Sequence, residues 1–181
     1  MQGPMWTYYP ELLESPVPRY TSFPTAAEFG PGLGAEDLGQ ALEASSGAVS
    51  LYLHIPFCKA LCRYCGCHMR VARSYDPARV YACSLLREID GVADRIGAGR
   101  AVSHIHWGGG TPTFLDDSDI AAIFARLRER FMLRPDCEIA MEIDPRTLNA
   151  GRAAFLAGQG VNRVSLGVQD FDPAVQEAIG R

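Results

Sequence analysis

No window of this 181-residue chain reaches the ~18 consecutive apolar residues that a transmembrane helix needs, so a membrane span is excluded. The first fifteen residues, MQGPMWTYYPELLES, lack both a basic start and an apolar centre, so they do not read as a secretory signal. A cytoplasmic location is expected. A basic excess is missing too: 17 Lys and Arg stand against 21 Asp and Glu, a net charge of −4, which argues against a general nucleic-acid binder. Apolar residues make up 48% of the chain, enough to bury a core, so disorder is excluded as the main state. One further absence is local. No Asp or Glu occurs between Glu43 and Asp76, while Lys59, Arg63, Arg70 and Arg73 give that stretch a charge of +4. A positive island in an acidic chain suits an anionic ligand, although on charge alone a solvated surface reads equally well.

The same stretch holds four of the six cysteines, Cys58, Cys62, Cys65 and Cys67, in CKALCRYCGC. Without a secretory signal, such crowding reads as a metal or cluster site and not as a disulfide framework. Structural zinc favours two separated ligand pairs and fits poorly. A redox pair of Cys62 and Cys65 leaves Cys58 and Cys67 unexplained. An iron–sulfur cluster fits best, because thiolates are its usual ligands and one loop can wrap it, although the spacing is not that of a bacterial ferredoxin. Cys83 and Cys137 are expected to be small core residues.

Residues 1–48 carry Pro10, Pro16, Pro18, Pro24 and Pro31 with little periodicity and read as an irregular N-terminal arm, holding one short helix over 36–44. From 49 the pattern turns to strand and helix in alternation. Strands are predicted at 49–55, 101–107, 137–143 and 162–168. Helices are predicted after a cap at Ser74 or Asp76, around 120–131, over 147–158, and from Pro173 onward, still running near residue 181. Such alternation indicates parallel βαβ units and an α/β fold. Four units fall short of a barrel of about 250 residues, so residues 49–181 are expected to form an incomplete barrel domain, the N-terminal part of a longer one. A small free-standing sheet is the alternative and leaves an edge strand exposed.

Ligands in these folds bind at the carboxyl ends of the strands. Each predicted strand end carries unusual residues: the cysteine loop, Gly108-Gly109-Gly110-Thr111-Pro112, Glu142 with Asp144, and Gln169 with Asp170. Glycines admit a ligand to backbone amides, and a carboxylate pairs with an ammonium or a ribose hydroxyl. Tyr52 and Tyr64 offer flat faces or hydroxyls beside the cysteines. His54, His68, His104 and His106 are not expected to be metal ligands. His104 and His106 share one strand face, where at least one is expected to be packed.

CxxxCxxC on the loop after the first strand, with Tyr64 before the third cysteine and the GGGTP segment, resembles the radical S-adenosylmethionine (SAM) signature. More narrowly, RYTSFPTA (19–26), LYLHIPFC (51–58), CGC (65–67), HWGGGTPTFL (106–115), EIDPRT (142–147) and SLGVQDFD (165–172) resemble the oxygen-independent coproporphyrinogen III oxidase family, in order from about residue 18 onward. The resemblance implies a 4Fe–4S cluster on Cys58, Cys62 and Cys65 with one iron open to SAM. It implies that Tyr52, Gly109 and Glu142 contact a first SAM, and that Tyr64, Gly110, Thr111, Gln169 and Arg181 lie near a second. Cys67 does not ligate in this picture; it is the candidate catalytic residue, near the second SAM or the substrate.

The implied reaction converts two propionates of coproporphyrinogen III to vinyl groups, giving protoporphyrinogen IX in heme biosynthesis. A low-potential donor such as a flavodoxin-like protein is the implied partner. Arg19, Arg63, Arg70 or Arg73 is expected to hold substrate propionates. The resemblance also places further strands and a C-terminal domain outside these residues, so a chain of this length is expected to turn nothing over alone. A heme chaperone of the same subfamily is the runner-up; Cys67 and the arm motif both favour the oxidase. A structural zinc module is the third reading.

Overall fold

The computed structural model describes residues 28–181 together with Pro10; the RYTSFPTA motif and Arg19 lie outside the described residues. Two compact units meet in sequence at Leu38 and Gly39, and every strand lies in the second. Helix α1 spans Ala35–Ala44, close to the predicted 36–44.

Four parallel strands form the sheet: β1 (Val49–Ile55), β4 (Ala101–Gly109), β5 (Met132–Ile143) and β6 (Arg163–Leu166), in that spatial order. Between them run α2 (Asp76–Ile96), α3 (Asp117–Arg130) and α4 (Ala150–Gly158), and α5 (Pro173–Ile179) follows β6. Two short parallel strands that the sequence reading missed, β2 (Phe57–Cys58) and β3 (Arg70–Val71), close the base of the cysteine loop. They are two residues each, too short for any alternation to register.

Other boundaries moved for local reasons. Neither Ser74 nor Asp76 caps α2; Tyr75 occupies that position and its side chain makes no cap bond. The third strand begins at Met132, because Met132 and Leu133 already pair with Ala101 and Val102. The helix predicted from 147 starts at Ala150, where Asn149 accepts from the Arg152 amide. A 3-10 turn, Pro145–Thr147, fills the gap, with the Asp144 carboxylate accepting from the Arg146 amide. Helix α5 does not run on, because Gly180 adopts φ 77° and ends it.

One face of the sheet is dry. Leu53, Ile55, Ile105, Trp107, Met141 and Ile143 are buried there together with Ala82, Leu85 and Ile89 of α2 and Ile120, Ile123 and Phe124 of α3. Trp107 packs against Phe124 at 4.9 Å between ring centroids. Each such large side chain, fully buried, stabilises by about 1.5–3 kcal/mol. An irregular register between Val102 and His104 lets Val102 and Ile105, three apart, both face this core. The other face carries Tyr52, His54, His104, His106 and Glu142, with Tyr52 beside His106 and His54 beside Gly108 in register. Parallel sheets normally bury both faces under apolar side chains, so this polar face is the one left for a ligand. Cys137 is buried as expected, but Cys83 is exposed on the outer side of α2.

Candidate functional site

The four strand ends meet around one cavity of about 520 Å³. Cys58, Cys62, Tyr64, Cys65 and Cys67 of the cysteine loop line it, with Gly109, Gly110 and Thr111 from the end of β4 and the loop after it. Glu142, Gln169 and Arg181 complete the wall, so the structure brings together the expected cluster and SAM residues other than Tyr52, while Asp170, Arg63, Arg70 and Arg73 do not line the cavity. Tyr52 stands to one side: its hydroxyl meets His54 Nδ1 at 3.0 Å, and its ring stacks on His106 at 5.8 Å.

Local sequence explains how each wall is held. The loop leaves β2 at Cys58 and returns at β3, where the Arg70 amide donates to the Pro56 carbonyl at 2.7 Å and the Ala72 amide to Cys58 at 3.0 Å. Its tip turns through Cys65 N–H to Cys62 C=O at 3.0 Å. The glycine loop extends the ladder, with the Gly110 amide donating to Ile55 and Thr111 to Phe57, both at 2.9 Å. A Cβ on Gly110 would lie 2.9 Å from both Cys58 Sγ and the Phe57 carbonyl oxygen, so only glycine lets the two loops approach this closely. Thr111 Oγ1 in turn sits 3.3 Å from Cys58 Sγ. Beyond β5, Thr147 Oγ1 meets Thr113 Oγ1 at 2.7 Å and locks the third rim segment to the second.

Gly180 performs a further positioning step. Its left-handed conformation lets the Arg181 amide bond back to Gln176 at 2.8 Å, the ring closure of a Schellman turn, and aims Arg181 into the cavity. There Arg181 Nε donates to Tyr64 Oη at 2.6 Å and Nη1 to Asp144 Oδ2 at 2.7 Å. Gln169 is exposed on the rim with φ 71°, a left-handed backbone unusual for a side-chain-bearing residue.

The electrostatics are those of crowded thiols. Burial pushes the Cys58 thiol up; Cys65, Cys62 and Asp144 push it further, and the Thr111 hydrogen bond opposes them. Burial also raises Cys67, with Cys65, Glu142 and Cys58 adding to the effect. The Tyr52 hydroxyl is raised by burial, then by Glu142 and Cys67. Asp144 moves the other way: burial would raise it, but hydrogen bonds from Arg146 and the charges of Arg181 and Arg146 hold it below the usual carboxylate range.

The histidines divide. His54 bridges Tyr52 and the His68 carbonyl, at 3.0 and 2.8 Å. His106 Nε2 pairs with Glu142 Oε1 at 3.2 Å, and His104 is exposed beside Ser103, so neither strand histidine is packed away as expected. Both project from the polar face of the sheet. Of the arginines expected at an anion, Arg63 turns outward and donates to the Ala178 carbonyl at 2.9 Å, and Arg70 lies over the Phe57 ring at 6.0 Å. Sequence reasoning named Asp144 only as a strand-end residue and missed Arg146; the acid-to-base spacing in EIDPRT was the available signal.

The radical SAM superfamily model matches residues 52–181, the region that builds this cavity. The chain belongs to the radical SAM superfamily. Among curated relatives it is 49% identical to the oxygen-independent coproporphyrinogen III oxidase of Bradyrhizobium diazoefficiens over 93% of this chain and 38% of that protein. It is 44% identical to the enzyme of that name from Escherichia coli, over 91% of this chain and 36% of the relative. A solved structure, coproporphyrinogen III oxidase from Escherichia coli, superposes with a TM-score of 0.87 at 41% identity, covering 97% of this chain and 39% of that one. The chain thus spans a little over a third of the length of these relatives, and its four βα units correspond to part of a radical SAM barrel.

The superfamily implies a 4Fe–4S cluster and SAM. Four thiols facing one cavity form a soft donor set, and their mutual crowding is the pattern that a cationic metal centre relieves. Among the described residues no three Cys, His, Asp or Glu side chains converge tightly enough for a single metal ion. Thiolates are the usual ligands of an iron–sulfur cluster, and one loop supplies them here. The residues fit the group.

Proposed function

We propose that this chain carries the cluster- and SAM-binding part of an oxygen-independent coproporphyrinogen III oxidase. Cys58, Cys62 and Cys65 hold the cluster and Cys67 stays free at the cavity wall. The observation that carries the reading is the cavity itself, which gathers the cysteine loop, the GGGTP loop, Glu142 and Arg181 in a chain 49% identical to an oxidase of that name.

With a cluster and SAM bound, one electron from a low-potential donor would split SAM into methionine and a 5′-deoxyadenosyl radical able to remove a hydrogen atom from a substrate propionate; loss of carbon dioxide, and of one electron to an external acceptor, would then leave a vinyl group. The chain's residues make this selective. Glu142, held by His106, offers a carboxylate to the ammonium or ribose of SAM, and Gly109 and Gly110 line the cavity with it. Tyr64, Thr111, Gln169 and Arg181 form the wall for a second SAM, with the Arg181 charge available to a carboxylate. Two propionates react in turn, and a low-potential donor supplies the electrons. No helix among the described residues is long and apolar enough to cross a membrane.

Electron paramagnetic resonance of the anaerobically reconstituted, reduced protein tests this reading. A 4Fe–4S signal that changes when SAM is added is the expected result. A cluster indifferent to SAM, or protein holding one zinc and no sulfide, would overturn it.

A further inference from the structure

Asp144 lies at the end of β5 with its carboxylate largely buried, 12% exposed, between two guanidinium groups. Arg146 approaches it with Nη2 at 2.6 Å from Oδ2 and Nε at 3.0 and 3.1 Å from the two oxygens. Arg181 Nη1 takes the same Oδ2 at 2.7 Å. One anion therefore serves two cations, and the local balance stays positive.

The two cations face different groups. Arg181 directs Nε to Tyr64 Oη and lays its guanidinium over that ring at 5.7 Å. Arg146 is held on three sides, by Asp144, by the Gly180 carbonyl at 3.5 Å from Nη1, and by Cys62 Sγ at 4.0 Å from Nη2. A guanidinium fork anchored on a carboxylate has little freedom to swing away. Its charge is thus built into the cavity wall beside a thiol assigned to the cluster.

We propose that Arg146 is a tuning residue for the metal centre: its guanidinium, positioned by Asp144 against Cys62 Sγ, raises the reduction potential of the cluster. The inference rests on the proposed ligand set. One-electron reduction adds a negative charge to the cluster and its thiolates, and a cation with an N–H directed at a ligating sulfur stabilises the reduced form more than the oxidised one. Asp144 offsets part of that charge while fixing its direction, and Arg181 supplies the second cation that keeps the pair from being neutralised.

The test is potentiometric titration of the reconstituted protein with dithionite, followed by electron paramagnetic resonance without SAM, in wild type and in the Arg146→Gln, Arg146→Met and Arg146→Lys variants. Omitting SAM removes any contribution from a contact between Arg146 and SAM. Iron and sulfide content are measured alongside. Loss of the charge is expected to lower the reduction equilibrium constant at least tenfold, 59 mV for a one-electron couple, with iron and sulfide unchanged. Arg146→Lys, which keeps the charge, is expected to recover at least half of that shift. Cluster-bearing Gln or Met variants with the wild-type potential overturn the proposal and leave the site reading intact. If neither charge-free variant assembles a cluster, Arg146 serves assembly and the tuning role falls. A wild type that assembles no cluster overturns the ligand set, and this inference with it.

Discussion

Gly110→Ala is the sharpest perturbation of the cavity, because what the new methyl meets is backbone. It would stand 2.9 Å from the Phe57 oxygen, 3.1 Å from the Phe57 carbonyl carbon and 2.9 Å from Cys58 Sγ, where ordinary contact begins at 3.4 Å. Something must retreat by about half an ångström. The Phe57 carbonyl is not free to do so, since it accepts from the Thr111 amide at 2.9 Å and its own ring is buried between Tyr81 and Phe114. Overpacking of this kind costs about 1–3 kcal/mol. Loss of the Thr111 bond adds about 0.5–1.5 kcal/mol, for a total of about 2–4 kcal/mol. Gly66, on the same cysteine loop, is the control, because a Cβ there meets nothing within 4 Å. Gly66→Ala should stay within about 0.5 kcal/mol of wild type. Gly108→Ala should fall between them, since its methyl meets only the Tyr52 and Glu142 side chains at 3.0–3.2 Å, and those can swing aside. Urea unfolding of the metal-free proteins, compared at constant slope, gives the three values. Iron per chain after reconstitution reports whether Cys58 has been displaced. A Gly110→Ala midpoint equal to that of Gly66→Ala, with full iron, would refute the argument that glycine is required by proximity.

Three other outcomes follow from single contacts. Tyr75 donates to Asp119 at 2.5 Å and accepts from the Asp116 amide at 2.8 Å, tying the entry of α2 to that of α3, so Tyr75→Phe should lose about 1–2 kcal/mol in urea unfolding. Burial and the Asp119 carboxylate raise this hydroxyl above its ordinary value of 10.0, so its contribution is complete below about pH 10 and fades as pH rises further; wild type minus Tyr75→Phe should shrink there, and a constant difference would contradict the contact. Arg63→Ala should cost about 0.5–1.5 kcal/mol in urea unfolding, through the lost bond to Ala178, and leave iron and sulfide content after reconstitution unchanged; wild-type stability would contradict the contact. His106→Phe keeps a ring against Tyr52 but frees Glu142, and should weaken SAM binding about tenfold in a titration followed by electron paramagnetic resonance, on the scale of one charge-assisted hydrogen bond.

The elements with strong periodicity were legible. VSLYLHI, the apolar stripe of α2 and the Pro173 helix start lie where 2.0 and 3.6 residue repeats put them. The site was legible for a different reason: cysteines, adjacent glycines and a strand-end Glu are residue types that a strand-end rim uses and a core does not. What failed were features set by tertiary contact. The β2–β3 pair exists because the loop must close, not because Phe57-Cys58 and Arg70-Val71 favour strands. The extra turn of β5 follows from pairing with β4. Cys83 was assigned to the core on residue type, but helical spacing puts it outside the Ala82, Leu85 and Ile89 stripe. Tyr52 leaves the polar face of the sheet opposite His106, two residues before the His54–Gly108 pair, and so stands beside the cavity wall.

The residues of the cysteine loop are close in sequence, but the loop is shaped from far away. Its Arg63 amide donates to Ile179 at 3.0 Å, the Arg63 side chain reaches Ala178, and Tyr64 is held by Arg181, 117 positions downstream. Cys58 is fixed by Thr111, and Cys62 faces Arg146. The cysteine-loop anchors thus come from the three βα units that follow it, so the loop reaches its arrangement only when all four units have paired. Contacts of such long sequence separation form late, because loop closure must be met before they contribute. A chain ending before α5 would retain the whole CxxxCxxC motif yet lose Ile179, Ala178 and Arg181, and with them the tip of the loop. The α5 terminus, through a left-handed glycine at 180, thus holds the tip of a loop that lies more than a hundred residues upstream.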